Sequence, residues 1–167
     1  MAERKPPGVK VRLKRPIWVV VAFGCNVGNC PKQIDLALEL VKREIHLKRV
    51  SPIYKSKPYG VENQPDFLNG VIFGYTRLKP FDLLRFLKWV EREVGRKPRC
   101  RWCEREIDLD VVYYGTLKIH FEELKIPHPD RVNRDFVLKP LDWITPNFED
   151  PLLGLSPKGL IRKFLKV

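Results

Sequence analysis

The segment Arg101-Trp102-Cys103-Glu104-Arg105-Glu106-Ile107-Asp108-Leu109-Asp110 concentrates more chemistry than any other stretch of the chain. In an extended strand successive side chains alternate faces, so Asp108 and Asp110 share one side while Ile107, Leu109 and Val111 share the other, apolar one. Two carboxylates so close repel, and a fold tolerates them half-buried when a cation sits between them. Hard oxygen donors suit Mg²⁺, which keeps waters and bridges to phosphate oxygens. A metal-nucleotide site is one reading; a solvent-facing strand edge with two ordinary aspartates is the other. Arg92, Arg96, Lys97, Arg99, Arg101 and Arg105 crowd the residues just before the pair. Carboxylates with metal plus a guanidinium cluster make a phosphate-transfer apparatus, in which catalysis is mainly positioning and charge neutralisation. The same arginines also suit a solvated loop or an RNA-binding patch.

Of the three histidines, His46 is expected in the first helix and His120 beside a turn. His128 differs, because Ile126-Pro127-His128-Pro129 fixes the backbone around the imidazole and Arg134 and Phe136 follow. It reads either as a phosphate or nucleotide contact or as a rigid surface turn. The chain has no Gly-x4-Gly-Lys-Ser/Thr and no Gly-x-Gly-x-x-Gly, so neither the P-loop nor the dinucleotide fingerprint applies.

The elements that must position these residues follow from periodicity and punctuation. Ile17–Phe23 is a β-branched and aromatic run between Pro16 and Gly24, a strand buried on both faces. From Pro31, apolar Ile34, Leu38, Val41 and Ile45 recur at helical spacing. Lys48–Ser56 and Asp66–Tyr75 predict two further strands around a loop punctuated by Pro58, Gly60 and Pro65. Pro80 opens a second amphipathic helix with Leu83, Leu84, Leu87, Val90 and Val94 on one face, ended by Gly95. Ile107–Tyr114 is the fourth strand. The order βαββαβ is that of ferredoxin-like α+β sandwiches, two helices covering one sheet face. Leu117 to Val167, rich in proline, is expected as additional C-terminal loops and short helices around that unit.

Length and composition bound the rest. At 167 residues the chain predicts one domain, with residues 16–167 forming it and residues 1–15, which hold six Lys and Arg against Glu3, a flexible basic tail. With 44% apolar and 31% charged residues the chain can form a globular core. It shows no apolar run of bilayer length and no cleavable leader pattern, so a cytoplasmic protein without membrane association is expected, and a monomer. The net charge of +12 attracts polyanions but does not choose among nucleic acid, phosphorylated metabolites and acidic lipid.

Gly24-Cys-Asn-Val-Gly28, Gln64-Pro-Asp-Phe-Leu-Asn69, Arg101-Trp102 with Arg105, Ile107-Asp-Leu-Asp110 and Ile126-Pro-His128 occur in this order. Together they resemble the 6-hydroxymethyl-7,8-dihydropterin pyrophosphokinase family, over about Trp18 to Ile144. The resemblance implies a ferredoxin-like fold and transfer of the terminal pyrophosphoryl group of ATP to the hydroxymethyl oxygen of a reduced pterin, releasing AMP, in folate synthesis. It implies that Asp108 and Asp110 bind two Mg²⁺ ions, either aspartate also being a candidate to take the proton. Phe67 and Phe136 match rings that sandwich the pterin, Asn69 a residue that hydrogen-bonds its edge, and Tyr59 a further substrate contact. Arg96, Arg105, His128 and Arg134 match positions near the triphosphate. Arg101 and Trp102 match a loop that closes over substrates, and Glu91 a nucleotide-pocket residue.

The chain departs from that pattern at Cys103-Glu104, where Gly-Pro is usual, and at Cys25, where serine is common. In a ferredoxin-like sheet the first and fourth strands are antiparallel neighbours, which brings Cys25, Cys30, Cys100 and Cys103 towards one rim. They are expected to bind Zn²⁺ or to form disulfides tethering the loop after the first strand to the arginine-rich loop. Two contrasting functions remain: an RNA-binding module of the same topology, for which the Lys/Arg-Gly-Phe/Tyr-type motif is missing, and a catalytically impaired structural relative. The partners expected are small molecules, ATP and the reduced pterin, with no nucleic acid.

Overall fold

The computed structural model describes residues 5–57, 64–101 and 103–165. Strand β1 (Ile17–Cys25) occupies the centre of the main sheet because Val19, Val20 and Val21 can be buried on both faces at once. It pairs antiparallel with β4 (Phe67–Thr76) on one side and with β5 (Asp108–Tyr114) on the other. Helix α1 (Cys30–Val41) starts at Asn29, whose side chain accepts the Lys32 N–H at 3.2 Å, with Pro31 in the first turn. Helix α2 (Pro80–Val94) ends at Gly95, whose φ of 118° is the left-handed conformation that favours glycine at a helix C-terminus. Both helices lie on one face of the sheet, where Ile34, Ala37, Leu83, Leu87 and Val90 meet Val19, Val21 and Phe23. With strand β2 (Ile45–Val50) at the far edge, the sheet order β2-β4-β1-β5 and the order of elements along the chain make the fold α+β and ferredoxin-like.

Two boundaries differ from expectation. Helix α1 stops at Val41, and Ile45 with His46 opens strand β2 (Ile45–Val50). Arg43 and Glu44 close the helix end by donating to the carbonyls of Leu40 and Val41, both at 3.1 Å. Ile45 still points into the same core, so apolar spacing alone could not separate a last helical turn from a first strand residue. The single strand expected over Lys48–Ser56 is two, β2 and β3 (Tyr54–Ser56), both paired with β4. Pro52 has no N–H to give to a ladder there, and Ser51 continues the pairing instead: its N–H donates to Val71 O at 3.0 Å and its hydroxyl accepts the Val71 N–H at 2.9 Å.

The opposite sheet face is covered by helix α3 (Asp135–Ile144), whose Val137, Leu141 and Ile144 pack on Val20, Ala22, Val71, Val112 and Tyr113. The C-terminal region thus supplies a third layer. Pairing of β1 with β5 slips between Val20 and Val21, a bulge that lets both Val112 and Tyr113 join this α3-side core. The short hairpin β6 (Ile119–His120) and β7 (Lys125–Ile126), the 3₁₀ turn Pro129–Asn133 and helix α4 (Pro157–Phe164) complete the described chain. They are anchored by Asp150, fully buried, which accepts two hydrogen bonds from Arg131 (2.7 and 3.1 Å), one from the Tyr113 hydroxyl and two from the Leu152 and Leu153 N–H groups. Burial acts to raise the Asp150 pKa, but these donors outweigh it and hold the carboxyl below its usual range.

Part of the basic N-terminal segment is docked. Val9 and Leu13 pack on the core, Leu13 and Arg77 exchange hydrogen bonds of 2.7 and 2.8 Å, and Arg12 pairs with Glu44 through two guanidinium nitrogens. No helix among the described residues is long and apolar enough to cross a membrane.

Candidate active site

The site grows from the strand register. Gly24 on β1 stands between Asp108 on β5 and Asn69 on β4, and Ala22 stands between Asp110 and Val71. The two central residues that face α3 here are the smallest available, so the acid pair and Asn69 look across an open floor. A Cβ on Gly24 would lie 2.9 Å from Asn69 Oδ1 and 3.5 Å from the Phe67 ring. Glycine is needed at that point for close approach. Phe67 and Phe136 form walls of the cavity above this floor, and Ser56, Lys57, Cys103, Arg105 and Arg134 complete its rim.

Each wall is fixed by its own contacts. Asn69 donates to Ser56 Oγ at 2.7 Å and to Tyr54 O at 3.4 Å, so its amide is held by β3. Tyr54 in turn donates its hydroxyl to Asp135 at 2.8 Å, which pins the start of α3 and with it Phe136. The Arg134 guanidinium lies 5.7 Å from the Phe136 ring centroid and 3.6 Å from Asp110. Asn26, 3% exposed, joins the loops: it accepts the Arg105 N–H at 2.8 Å, gives its own N–H to Arg105 O at 3.0 Å, and donates to Gln64 and to Pro65 O just ahead of Phe67.

The electrostatics single out Asp110. Asp108 is held by Arg96 (3.0 Å) and Arg105 (2.9 Å). Among the described residues Asp110 has only Arg134 in ion-pair range, and its burial and the charge of Asp108 push its carboxyl up to about 7. Glu91 is also raised, by burial and by Asp108, and it accepts the Leu109 N–H and an Arg96 N–H, both at 2.8 Å. Glu91 therefore orients the β5 backbone and Arg96 from beneath. A second, cationic cleft bounded by Lys88, Arg92, Arg96 and Arg99 adjoins, and Arg105 borders both.

The residues expected from sequence distribute as follows. Asp108, Asp110, Arg105, Arg134, Phe67, Asn69 and Phe136 share one cavity, while Arg96 and Glu91 line the neighbouring cleft. His128 lines neither: its Nδ1 accepts the Asp130 N–H at 3.1 Å, and burial, then the charge of Arg134, lowers it to about 4, leaving the ring neutral. Arg101 is exposed, and its carbonyl accepts a hydrogen bond from Arg105. Tyr59 and Trp102 lie outside the described residues.

The four cysteines form disulfides, as one of the two expectations had it, but the expected tether between loops needs correction. Cys25 pairs with Cys30 and Cys100 with Cys103, so each bridge closes within its own loop, none joins the two loops, and no thiol is left to assemble a zinc site. The link that cysteines were expected to make is made by Asn26 and by Gln33, whose amide donates to Val27 O (2.9 Å) and Glu106 O (2.6 Å). Glu106 also gathers the Lys97 N–H and Arg99. These three were missed; Asn26 lies in the Gly24–Gly28 segment that entered only as part of the family resemblance, and an isolated polar residue with distant partners leaves no local pattern.

As a metal site, the arrangement offers two carboxylates on one wall, and among the described residues no group of three or more His, Cys, Asp or Glu is placed to hold an ion. Such a sparse oxygen set fits a hard cation that completes its shell with water and phosphate oxygens better than one needing an all-protein cage.

The family model described as 7,8-dihydro-6-hydroxymethylpterin-pyrophosphokinase matches residues 20–146, a span holding the acid pair, both rings and the arginine loop. The chain belongs to this family. A pyrophosphokinase relative from Aquifex aeolicus, named 2-amino-4-hydroxy-6-hydroxymethyldihydropteridine pyrophosphokinase, is 39% identical over 87% of this chain and 94% of its own length. The mitochondrial folate synthesis bifunctional protein of Arabidopsis thaliana is 44% identical over 74% of this chain, but that match spans only 22% of the plant protein. Among solved structures, the wild-type Plasmodium falciparum HPPK-DHPS with SDX-DHP superposes with a TM-score of 0.74 at 15% identity, covering 93% of this chain and 45% of that one. That likeness shows the pyrophosphokinase fold; the sequence relatives carry the family.

Proposed function

We propose that the protein transfers the pyrophosphoryl group of ATP to the hydroxymethyl oxygen of 6-hydroxymethyl-7,8-dihydropterin, with AMP as the second product, in folate biosynthesis. The observation that carries this reading is the shared cavity: an acid pair and two phenyl rings face one floor, and Arg105 connects it to a cationic cleft.

The flat pterin enters between Phe67 and Phe136, above Ala22 and Gly24, where stacking supplies affinity and Asn69 supplies direction through the ring edge. The triphosphate runs from the cationic cleft towards the acid pair, with Arg96, Arg105 and Arg134 offsetting its charge. Asp108 and Asp110 are the residues that would hold Mg²⁺, two ions by the family pattern, supplying charge neutralisation and orientation at the phosphates. The pterin hydroxyl oxygen gives up its proton to solvent and bonds to the β-phosphorus while the bond from that phosphorus to the α-phosphate oxygen breaks, and AMP departs with the electron pair. Arg105 reaches Asp108 with its side chain and Asn26 with its backbone, so it keeps the phosphate end aligned with the ring end.

The test is AMP release from purified protein with reduced hydroxymethylpterin, ATP and Mg²⁺. Asp110→Ala should abolish it with an unchanged circular dichroism spectrum. AMP formation at the wild-type rate in that variant would show the metal site to be misplaced.

A further inference from the structure

The two disulfides sit in unlike surroundings. Cys25 and Cys30 are 0% and 8% exposed, inside the core under α1 and α2. Cys100 is exposed and Cys103 half-buried; the first borders the cationic cleft and the second the cavity with the acid pair. The bridge therefore spans the ridge between the two clefts. It closes a turn in which Cys103 N–H donates to Cys100 O at 3.1 Å, and Arg99, Arg101 and Arg105 stand within two positions of one or other cysteine. Guanidinium groups stabilise a thiolate, and thiol–disulfide exchange needs both a good thiolate leaving group and access for the attacker. The outer bridge has access, with basic residues flanking it along the chain, and the inner bridge lacks access.

We propose that Cys100–Cys103 is a reversible thiol–disulfide site, open to dithiol reductants, that sets the order of the arginine turn between the clefts. A reductant thiolate attacks the Cys100 sulfur, the bond to Cys103 breaks, and Cys103 leaves as a thiolate that takes up a proton. The second thiol of the reductant then displaces Cys100 from the mixed disulfide. The protein gains two electrons and two protons, and the dithiol leaves as a cyclic disulfide. In the bridged form Cys100 and Cys103 are tied together before a ligand arrives, whereas in the dithiol form binding must bring them together. The nucleotide consequence rests on the function proposed above; the reactivity of the site does not.

The experiment treats the folded protein with graded dithiothreitol, traps thiols with iodoacetamide and maps the adducts by mass spectrometry. Carboxamidomethyl groups should appear on Cys100 and Cys103 while Cys25 and Cys30 stay blocked. Amide hydrogen exchange over residues 99–105 should accelerate, and affinity for a nonhydrolysable ATP analogue with Mg²⁺ should fall by roughly threefold or more. The Cys100→Ser/Cys103→Ser variant should match the reduced protein and ignore dithiothreitol. Simultaneous opening of both bridges, or earlier labelling of Cys25 and Cys30, would overturn the site. Equal exchange rates in the two redox forms would overturn its control of the turn. If Cys100 and Cys103 open first and exchange responds, yet no nucleotide binds in either form, the site stands and the diphosphotransferase reading fails.

Discussion

Asn26 and Arg105 grip each other from both sides: the Arg105 N–H reaches Asn26 Oδ1 at 2.8 Å, and the Asn26 N–H reaches Arg105 O at 3.0 Å. The same asparagine amide also bonds Pro65 O, two residues ahead of Phe67. One buried side chain thus couples the phosphate end of the cavity to its ring wall. Asn26→Ala should cost on the order of 2–3 kcal/mol in urea unfolding, since it strands a buried N–H and a carbonyl. It should also slow AMP release roughly ten- to hundredfold through lost alignment. A variant that is less stable but turns over normally would show the coupling to be irrelevant to chemistry.

Two groups near the site respond to pH in opposite senses. Asp110 is raised from 3.8 to about 7, so between those values the folded protein holds the extra proton and this group's contribution to stability declines as pH rises. His128 is lowered from 6.5 to about 4, so in its window the unfolded chain holds the extra proton and stability grows as pH rises. The opposing slopes largely offset one another. Asp110→Asn removes the first and leaves the second, so in metal-free buffer its stability should climb between pH 4 and 6.5 more steeply than that of the unaltered protein, by up to about 1.4 kcal/mol per pH unit. Parallel curves from chemical denaturation at several pH values would contradict this.

Asp150→Ala should be among the most damaging substitutions in the chain. It leaves the Arg131 guanidinium, 6% exposed, without its counter-charge, and deprives the Tyr113 hydroxyl of its acceptor. Removing one partner of a buried ion pair costs about 3–5 kcal/mol. Guanidinium chloride titration measures it, and a loss below about 1 kcal/mol would mean that water replaces the carboxylate.

Deleting residues 1–15 should leave turnover near that of the full chain, because none of the described residues 5–15 lines the cavity or the cationic cleft. It should lower the unfolding midpoint, since the Leu13–Arg77 exchange, the Arg12–Glu44 pair and the packing of Val9 and Leu13 go with them. A loss on the order of 1–2 kcal/mol is expected from two hydrogen bonds and modest apolar burial. A large fall in AMP release would place this segment in the site.

What the sequence made legible was whatever repeats locally. Val19 to Val21, the Leu83–Leu87–Val90 stripe and the alternation Ile107–Asp108–Leu109–Asp110 each state a period, and the structure keeps the face each period assigns. The rest depends on residues far apart in the chain. Ile45 satisfies a helical and an extended pattern alike, and only pairing with Thr76 decides between them. Cys25 meets Cys30 because the start of α1 turns back beside the end of β1, a distance that spacing does not encode. Arg131, Asp150 and Tyr113 are single positions whose partnership exists only once the α3 layer is in place. Of the site, the acids and the arginine cluster were legible by type and spacing and the rings through the family resemblance, whereas Asn26, Gln33 and Glu106, which position them, were not.

Gly24 gives the cavity its shape by what it lacks. One added methyl would press on the Asn69 amide and crowd the Phe67 ring, narrowing a slot meant for a planar guest while leaving every charged group untouched. An alanine there would produce a protein that keeps its full complement of acids and bases yet rejects the molecule they serve.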